Sequence, residues 1–160
     1  MKDFAIRPAE VVDLEQMLAI AENRRNEYSS YQPVFWHPTP DAVALQRSYF
    51  EGLILDSSVI SLVAVSDDIL LGFVIGQLVE APVVYDPGGL TCSIDDFALK
   101  EQEDWPAVGA TLLEAAKLAA CERGAVQIVV VSGRLDEAKR SALTGSQMSI
   151  ASEWWVAPLF

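Results

Sequence analysis

Apolar positions recur along this chain with two periods, about 3.6 and 2, and the alternation between them predicts the order of its elements. Phe4 to Arg7 reads as a short strand halted by Pro8. From Asp13, a capping residue, Leu14, Met17, Leu18 and Ala21 recur at helical spacing while Glu22, Arg24, Arg25 and Glu27 are polar, which predicts an amphipathic helix. Tyr28 to Pro40, YSSYQPVFWHPTP, reads as an ordered loop, and Thr39-Pro40-Asp41 opens a second helix running to about Leu53. Val59 to Val65 and Ile69 to Val79 flank Ser66-Asp67-Asp68 as an antiparallel hairpin. After the loop Ala81 to Gly89, a strand is predicted over Thr91 to Leu99, then a helix opening at Pro106 or Ala107 and ending at Gly124. Ala125 to Val131 is a near-continuous apolar run, as expected of a strand covered on both faces. Leu135 to Leu143 reads as a helix and Ser149 to Val156 as a last strand. The expectation is one α/β domain over residues 1–160, ordered β-α-α-β-β-β-α-β-α-β.

Composition narrows the classes of function. The chain has 160 residues, 51% of them hydrophobic, enough to bury a core without staples. Its longest apolar region is cut by Ser66-Asp67-Asp68, so no membrane span is expected. MKDFAIRPAE has charges where a signal peptide needs an apolar stretch, which predicts a cytoplasmic protein. Cys92 and Cys121 lack the spacing of a metal or redox site and read as buried small residues; no metal is expected. The net charge of -12 repels phosphate backbones, so nucleic acid is an improbable partner, and a small-molecule amine or a basic protein segment suits that field.

One stretch narrows the reading further. In DDFALKEQEDWPAVGATLL, Asp95 to Leu113, a strand passes through an acidic loop into a helix that begins with small residues. This arrangement, with the order of elements, resembles the GNAT superfamily of acetyl-CoA-dependent N-acetyltransferases. The family's strand falls on Asp96, Phe97, Ala98 and Leu99; its loop motif falls on Asp104, Trp105, Pro106, Ala107, Val108 and Gly109; its leucine pair is Leu112 and Leu113. The resemblance implies a GNAT-like fold, a mixed sheet of about six strands flanked by about four helices, with acetyl-CoA as co-substrate. It implies that main-chain groups of Phe97, Ala98 and Leu99 pair with the pantetheine arm where this strand splays from Ala125–Val131. The loop from Asp104 and Trp105 through Ala107, Val108, Gly109 and Ala110 would point its N–H groups at the pyrophosphate, aided by the helix dipole.

Two departures stand out. Asp104 occupies the place of the family's Arg or Gln, with Glu101 and Glu103 close by, and Pro106 removes an N–H donor. Ser141 and Ala142 stand where many members have Phe-Tyr, whose tyrosine protonates the leaving thiolate. Either the carboxylates face solvent while backbone amides hold the cofactor, or the fold persists after losing its ligand. Asp95, Asp96 and Glu80 are the candidate bases for acetyl transfer to a primary amine. Tyr31, Phe35, Trp36 and His37, with Tyr28, are the candidate acceptor-binding residues, the rings offering their faces to a cation. The alternative function is a catalytically inactive domain serving as a ligand-binding or protein-interaction module. Trp154 and Trp155, adjacent on the last predicted strand, face opposite ways and suggest a homodimer through that strand.

Overall fold

The computed structural model describes residues 3–159. Strands β1 (Ala5–Pro8), β2 (Ile60–Ser66), β3 (Ile69–Val79), β4 (Leu90–Leu99) and β5 (Ala125–Val130) form one sheet in that order. The first four are antiparallel to their neighbours, and β5 runs parallel to β4. Helices α1 (Leu14–Tyr31) and α2 (Ala42–Leu55) precede β2; α3 (Ala110–Glu122) links β4 to β5, and α4 (Glu137–Gly145) follows β5.

The period-2 pattern of the strands feeds two cores. Val63, Phe73 and Ile75 face Met17, Leu18 and Ala21 of α1 and Phe50 of α2. Their alternates Ala64 and Val74, with Ile94 and Phe97, face Leu112, Leu113 and Ala116 of α3. Central β3 is buried on both sides, so its sequence is apolar almost throughout. Gly72 of β3 is required there: a β-carbon on it would lie 2.2 Å from Leu99 Cδ2 and 2.9 Å from the Ala98 carbonyl.

Several expectations are corrected. Five strands are present among the described residues, and residues 149–156 pair with none of them. The run Ala125–Val131 is an edge strand whose one neighbour among the described residues is β4, and Val126 and Val129 are exposed; apolar sequence alone did not guarantee a cover. Cys92 is buried but Cys121 is exposed. Asp13 does not cap α1 with its side chain; the carboxylate turns back to the Glu10 N–H (2.8 Å) and pairs with Arg7 at 2.7 and 2.8 Å. Those bonds hold its pKa below the usual carboxylate range. Among the described residues no helix is long and apolar enough to cross a membrane.

The hairpin turn follows the prediction and exposes a local strain. Asp67 and Asp68 both sit at left-handed φ, 46° and 65°. A two-residue turn of that hand matches the twist of the flanking strands, and Asp-Gly suits it better than Asp-Asp. Asp68→Gly is therefore expected to raise stability by about 0.5–1 kcal/mol, read as a higher urea midpoint at unchanged slope.

Candidate functional site

The site forms where β4 outruns β5. Their parallel ladder runs from Leu90↔Ala125 to Ile94↔Val130, and the last bond joins the Val131 N–H to the Ile94 carbonyl at 2.9 Å. Beyond it β4 continues along β3, pairing Asp96 with Ile75, Phe97 with Val74 and Leu99 with Gly72, while the chain after β5 turns away. The end of β4 thus has one free edge, and its carbonyls need donors.

Lys139 supplies them. Its Nζ donates to the Phe97 carbonyl at 3.0 Å and to the Val131 carbonyl at 2.8 Å, spanning the gap between the two strands. The side chain is fully buried, with Nζ 5.3 Å from the Phe97 ring centroid and 5.7 Å from that of Trp105. Burial, and then the positive charge of Arg24, pulls its pKa down to about 7 against the carboxylates of Asp136, Asp96 and Asp95. The first turn of α4 is fixed for this purpose. Asp136 accepts from the Lys139 N–H (3.3 Å) and from the Tyr28 hydroxyl (2.7 Å), which in turn accepts from the Gly133 N–H (3.0 Å). Burial and the neighbouring Asp136 charge raise the Tyr28 pKa, keeping the hydroxyl protonated as that donor.

On the other side of β4, Arg24 of α1 donates to the Asp95 carbonyl and to Asp96 Oδ1, both at 3.1 Å. The Asp96 carboxyl is half-buried and its pKa is raised, burial outweighing the favourable charge of Arg24. Asp95 is exposed. Glu80, exposed just beyond Val79, adjoins Thr91 at the opposite end of β4, roughly 20 Å along the strand from Phe97.

The loop that should cradle phosphates is folded inward. Gln102–Asp104 make a 3-10 turn and Trp105–Gly109 a π turn leading into α3. Glu101 and Glu103 face solvent, while Asp104 and Trp105 are buried. Trp105 packs edge-on against Phe97, centroids 4.8 Å apart. A β-carbon on Gly109 would lie 2.4 Å from Trp105 Cε3, so the indole occupies the space that the glycine leaves. The Ala110 N–H bonds the Ala107 and Trp105 carbonyls; Val108 is buried and Ala107 exposed. The cavity bounded by Arg24, Glu27, Leu99, Lys100, Trp105 and Asp136 measures about 20 Å³, room for about one water.

The aromatic residues gather as one ledge. Tyr28 lies 5.8 Å from Tyr31 and 5.1 Å from Trp36, and Phe35 stands edge-on to Trp36 at 4.7 Å. Trp154, placed on a strand by the sequence reading, instead touches Phe35 edge-on at 5.8 Å. His37 is exposed on the same loop.

Sequence reasoning missed Lys139, Arg24 and Asp136. A signal for Lys139 existed: Leu135, Ala138, Lys139, Ala142 and Leu143 share one helical face, and a charge inside such a stripe is either buried with partners or misplaced.

Comparison with solved structures gives the fold its class. A mutant of the BH1408 protein from Bacillus halodurans superposes with TM-score 0.83 at 17% identity, covering 98% of this chain and 99% of that one. A predicted acetyltransferase from Clostridium acetobutylicum, solved with acetyl-CoA, gives 0.75 at 15% identity over 98% and 97%. The aminoglycoside 6'-N-acetyltransferase AAC(6')-Ih from Acinetobacter baumannii gives 0.72 at 9% identity over 98% and 97%. The chain has the GNAT acetyltransferase fold. No family model matches it, and neither does any curated protein.

A lysine whose folded pKa lies below its unfolded value makes the unfolded state bind more protons between the two values, so stability rises with pH across that interval. For Lys139 the interval runs from about 7 to the ordinary lysine value of about 10.4, with a slope of at most about 1.4 kcal/mol per pH unit. Urea unfolding at pH 6, 8 and 9.5 is expected to show this rise, and Lys139→Met is expected to lose it. That variant also leaves two buried carbonyls without a donor, at about 1–3 kcal/mol each.

Proposed function

We propose that this chain is a GNAT-fold interaction module whose acyl slot is filled by its own side chains, and that its partner is cationic. One observation carries the reading: the Phe97 carbonyl, the main-chain group that the resemblance assigns to the pantetheine arm, accepts from Lys139 Nζ at 3.0 Å. Trp105 against Gly109 supports it from the phosphate side, and Asp104 with Glu101 and Glu103 sets an acidic field where a diphosphate would lie. In this arrangement the residues do not fit acetyl-CoA. The Phe97 carbonyl and the space above Gly109 are both taken by side chains of the protein itself. Ser141 and Ala142 supply no acid for a thiolate.

The cationic partner follows from the charge of -12 and from the rings of Tyr31, Phe35 and Trp36, whose faces attract an ammonium or guanidinium. The protein already uses such a contact internally, with Arg24 5.4 Å from the Tyr28 ring centroid. A small-molecule amine and a basic protein segment both have this chemistry.

A second reading, N-acetyl transfer from acetyl-CoA to a primary amine, is favoured by one feature: β4 splays from β5 after Ile94. The C. acetobutylicum neighbour that shares this fold was solved with acetyl-CoA. Thermal melting separates the two readings. A ligand at 100 times its dissociation constant adds about 2.7 kcal/mol, or about 5–10 °C for a chain of this size. With millimolar acetyl-CoA or CoA the wild type is expected not to shift, whereas Asp104→Arg combined with Lys139→Ala is expected to gain a shift. A wild-type shift of that size establishes the second reading instead.

A further inference from the structure

The aromatic ledge offers more ring surface than one cation needs. Trp154, Phe35, Trp36, Tyr28 and Tyr31 follow one another with centroids 5.8, 4.7, 5.1 and 5.8 Å apart. Tyr28 is buried and anchors the rest, Tyr31 and Trp36 are half-buried, and Phe35 and Trp154 are 43% and 81% exposed. Phe35 stands nearly perpendicular to Trp36 and to Trp154, at 87° and 83°. Perpendicular pairs leave uncovered the ring faces that stacking would hide. The loop that carries them is already fixed: the Trp36 N–H donates to the Gln32 carbonyl (3.0 Å) and the Val34 N–H to Gln32 Oε1 (3.1 Å). A partner therefore meets rings in place, which lowers the cost of ordering them on binding.

The charge around the ledge is one-sided. It adjoins the C-terminal end of α1, the negative pole of an 18-residue helix whose last turn holds no basic residue. Burial, and then the charges of Glu27, Asp136 and Glu137, raise the Tyr31 pKa, so three carboxylates bear on that ring. The neighbouring arginines are engaged elsewhere, Arg24 with Asp96 and the Asp95 carbonyl, Arg134 with Glu153. Arg24 also shows which cation suits such a surface, its guanidinium carbon lying 5.4 Å from the Tyr28 ring centroid. A guanidinium is planar and more weakly hydrated than an ammonium, so it lies against a ring face at a smaller desolvation cost. An extended chain delivers such groups in series, since alternate side chains on one of its sides stand about 7 Å apart.

We propose that the ledge of Tyr31, Phe35, Trp36 and Trp154 binds an extended, arginine-containing segment of another protein, with guanidinium faces on the rings and their N–H groups directed to Glu27 and Glu137. This rests on the cationic partner inferred above and narrows it from any amine to a guanidinium carried on a chain. Glu137 is exposed and Glu27 half-buried, so both carboxylates are within reach of solvent-borne donors. A second copy of this chain, at net charge -12, brings the wrong field to the site.

Calorimetric titration of the full chain with a capped Arg-Gly-Arg-Gly-Arg peptide and its lysine counterpart of equal charge tests it. The arginine peptide is expected to bind tighter by at least about fivefold. Trp154→Ser, at an exposed position, is expected to leave the melting curve unchanged and to cost the arginine peptide about threefold. Adding Phe35→Ser is expected to remove the preference over lysine, whereas Glu137→Gln is expected to weaken both peptides alike. Equal affinity for the two peptides overturns the arginine assignment and leaves a cationic partner in place; binding by neither overturns both. Arginine amide that binds as tightly as the peptide marks a site for a single cation and overturns the extended segment. An arginine preference that survives the loss of both rings overturns the placement on the ledge.

Discussion

A sheet strand that loses its neighbour partway along must find other donors and acceptors for its main chain, and the half of β4 beyond Ile94 is in that position. The solution is a single ammonium group reaching from α4 to two carbonyls on two diverging strands. Much of the surrounding chemistry serves that reach. Asp136 fixes the turn from which Lys139 springs, Tyr28 fixes Asp136, and Gly133 admits Tyr28, whose Cζ would lie 3.0 Å from a β-carbon there. Arg24 and Asp96 set the local charge balance on the far side of the strand. A buried amine is tolerable here because its pKa falls to about 7, so near neutrality it spends much of its time as an uncharged amine with both protons donated.

This packing explains why an acetyltransferase fold need not imply acetyl transfer. The GNAT frame supplies a splayed sheet and a helix N-terminus; what fills the splay is a matter of side chains. In this protein Lys139, Phe97 and Trp105 fill it from the inside, and the glycine that a phosphate would approach is covered by an indole. The acidic loop then acquires a simple meaning: Glu101 and Glu103 are solvated carboxylates near a helix start, favourable to its dipole.

The architecture was largely legible because it rests on local periodicity. The helical stripe Leu14, Met17, Leu18 and Ala21, the Ser-Asp-Asp turn and the apolar run of β3 each state their structure within a dozen residues. The errors fell where a tertiary partner decides. Ala125–Val130 and residues 149–156 both read as strands, yet one is half exposed and the other irregular, since strand sequence does not say whether a neighbour will be there. Asp13 read as a helix cap but its carboxylate pairs with Arg7, six positions earlier in β1. The site was harder still. Lys139 acts through Phe97, 42 positions before it, and Tyr28 through Asp136, 108 positions later, distances that no local pattern spans.

The π turn at Trp105–Gly109 has a bearing on how chains of this fold should be aligned. Such a turn accommodates an additional residue relative to an α turn, so every side chain after it is rotated by about 100° from the phase that a gap-free overlay assumes. The face that Leu112 and Leu113 turn to the sheet is therefore set by that turn as much as by the helix that follows it.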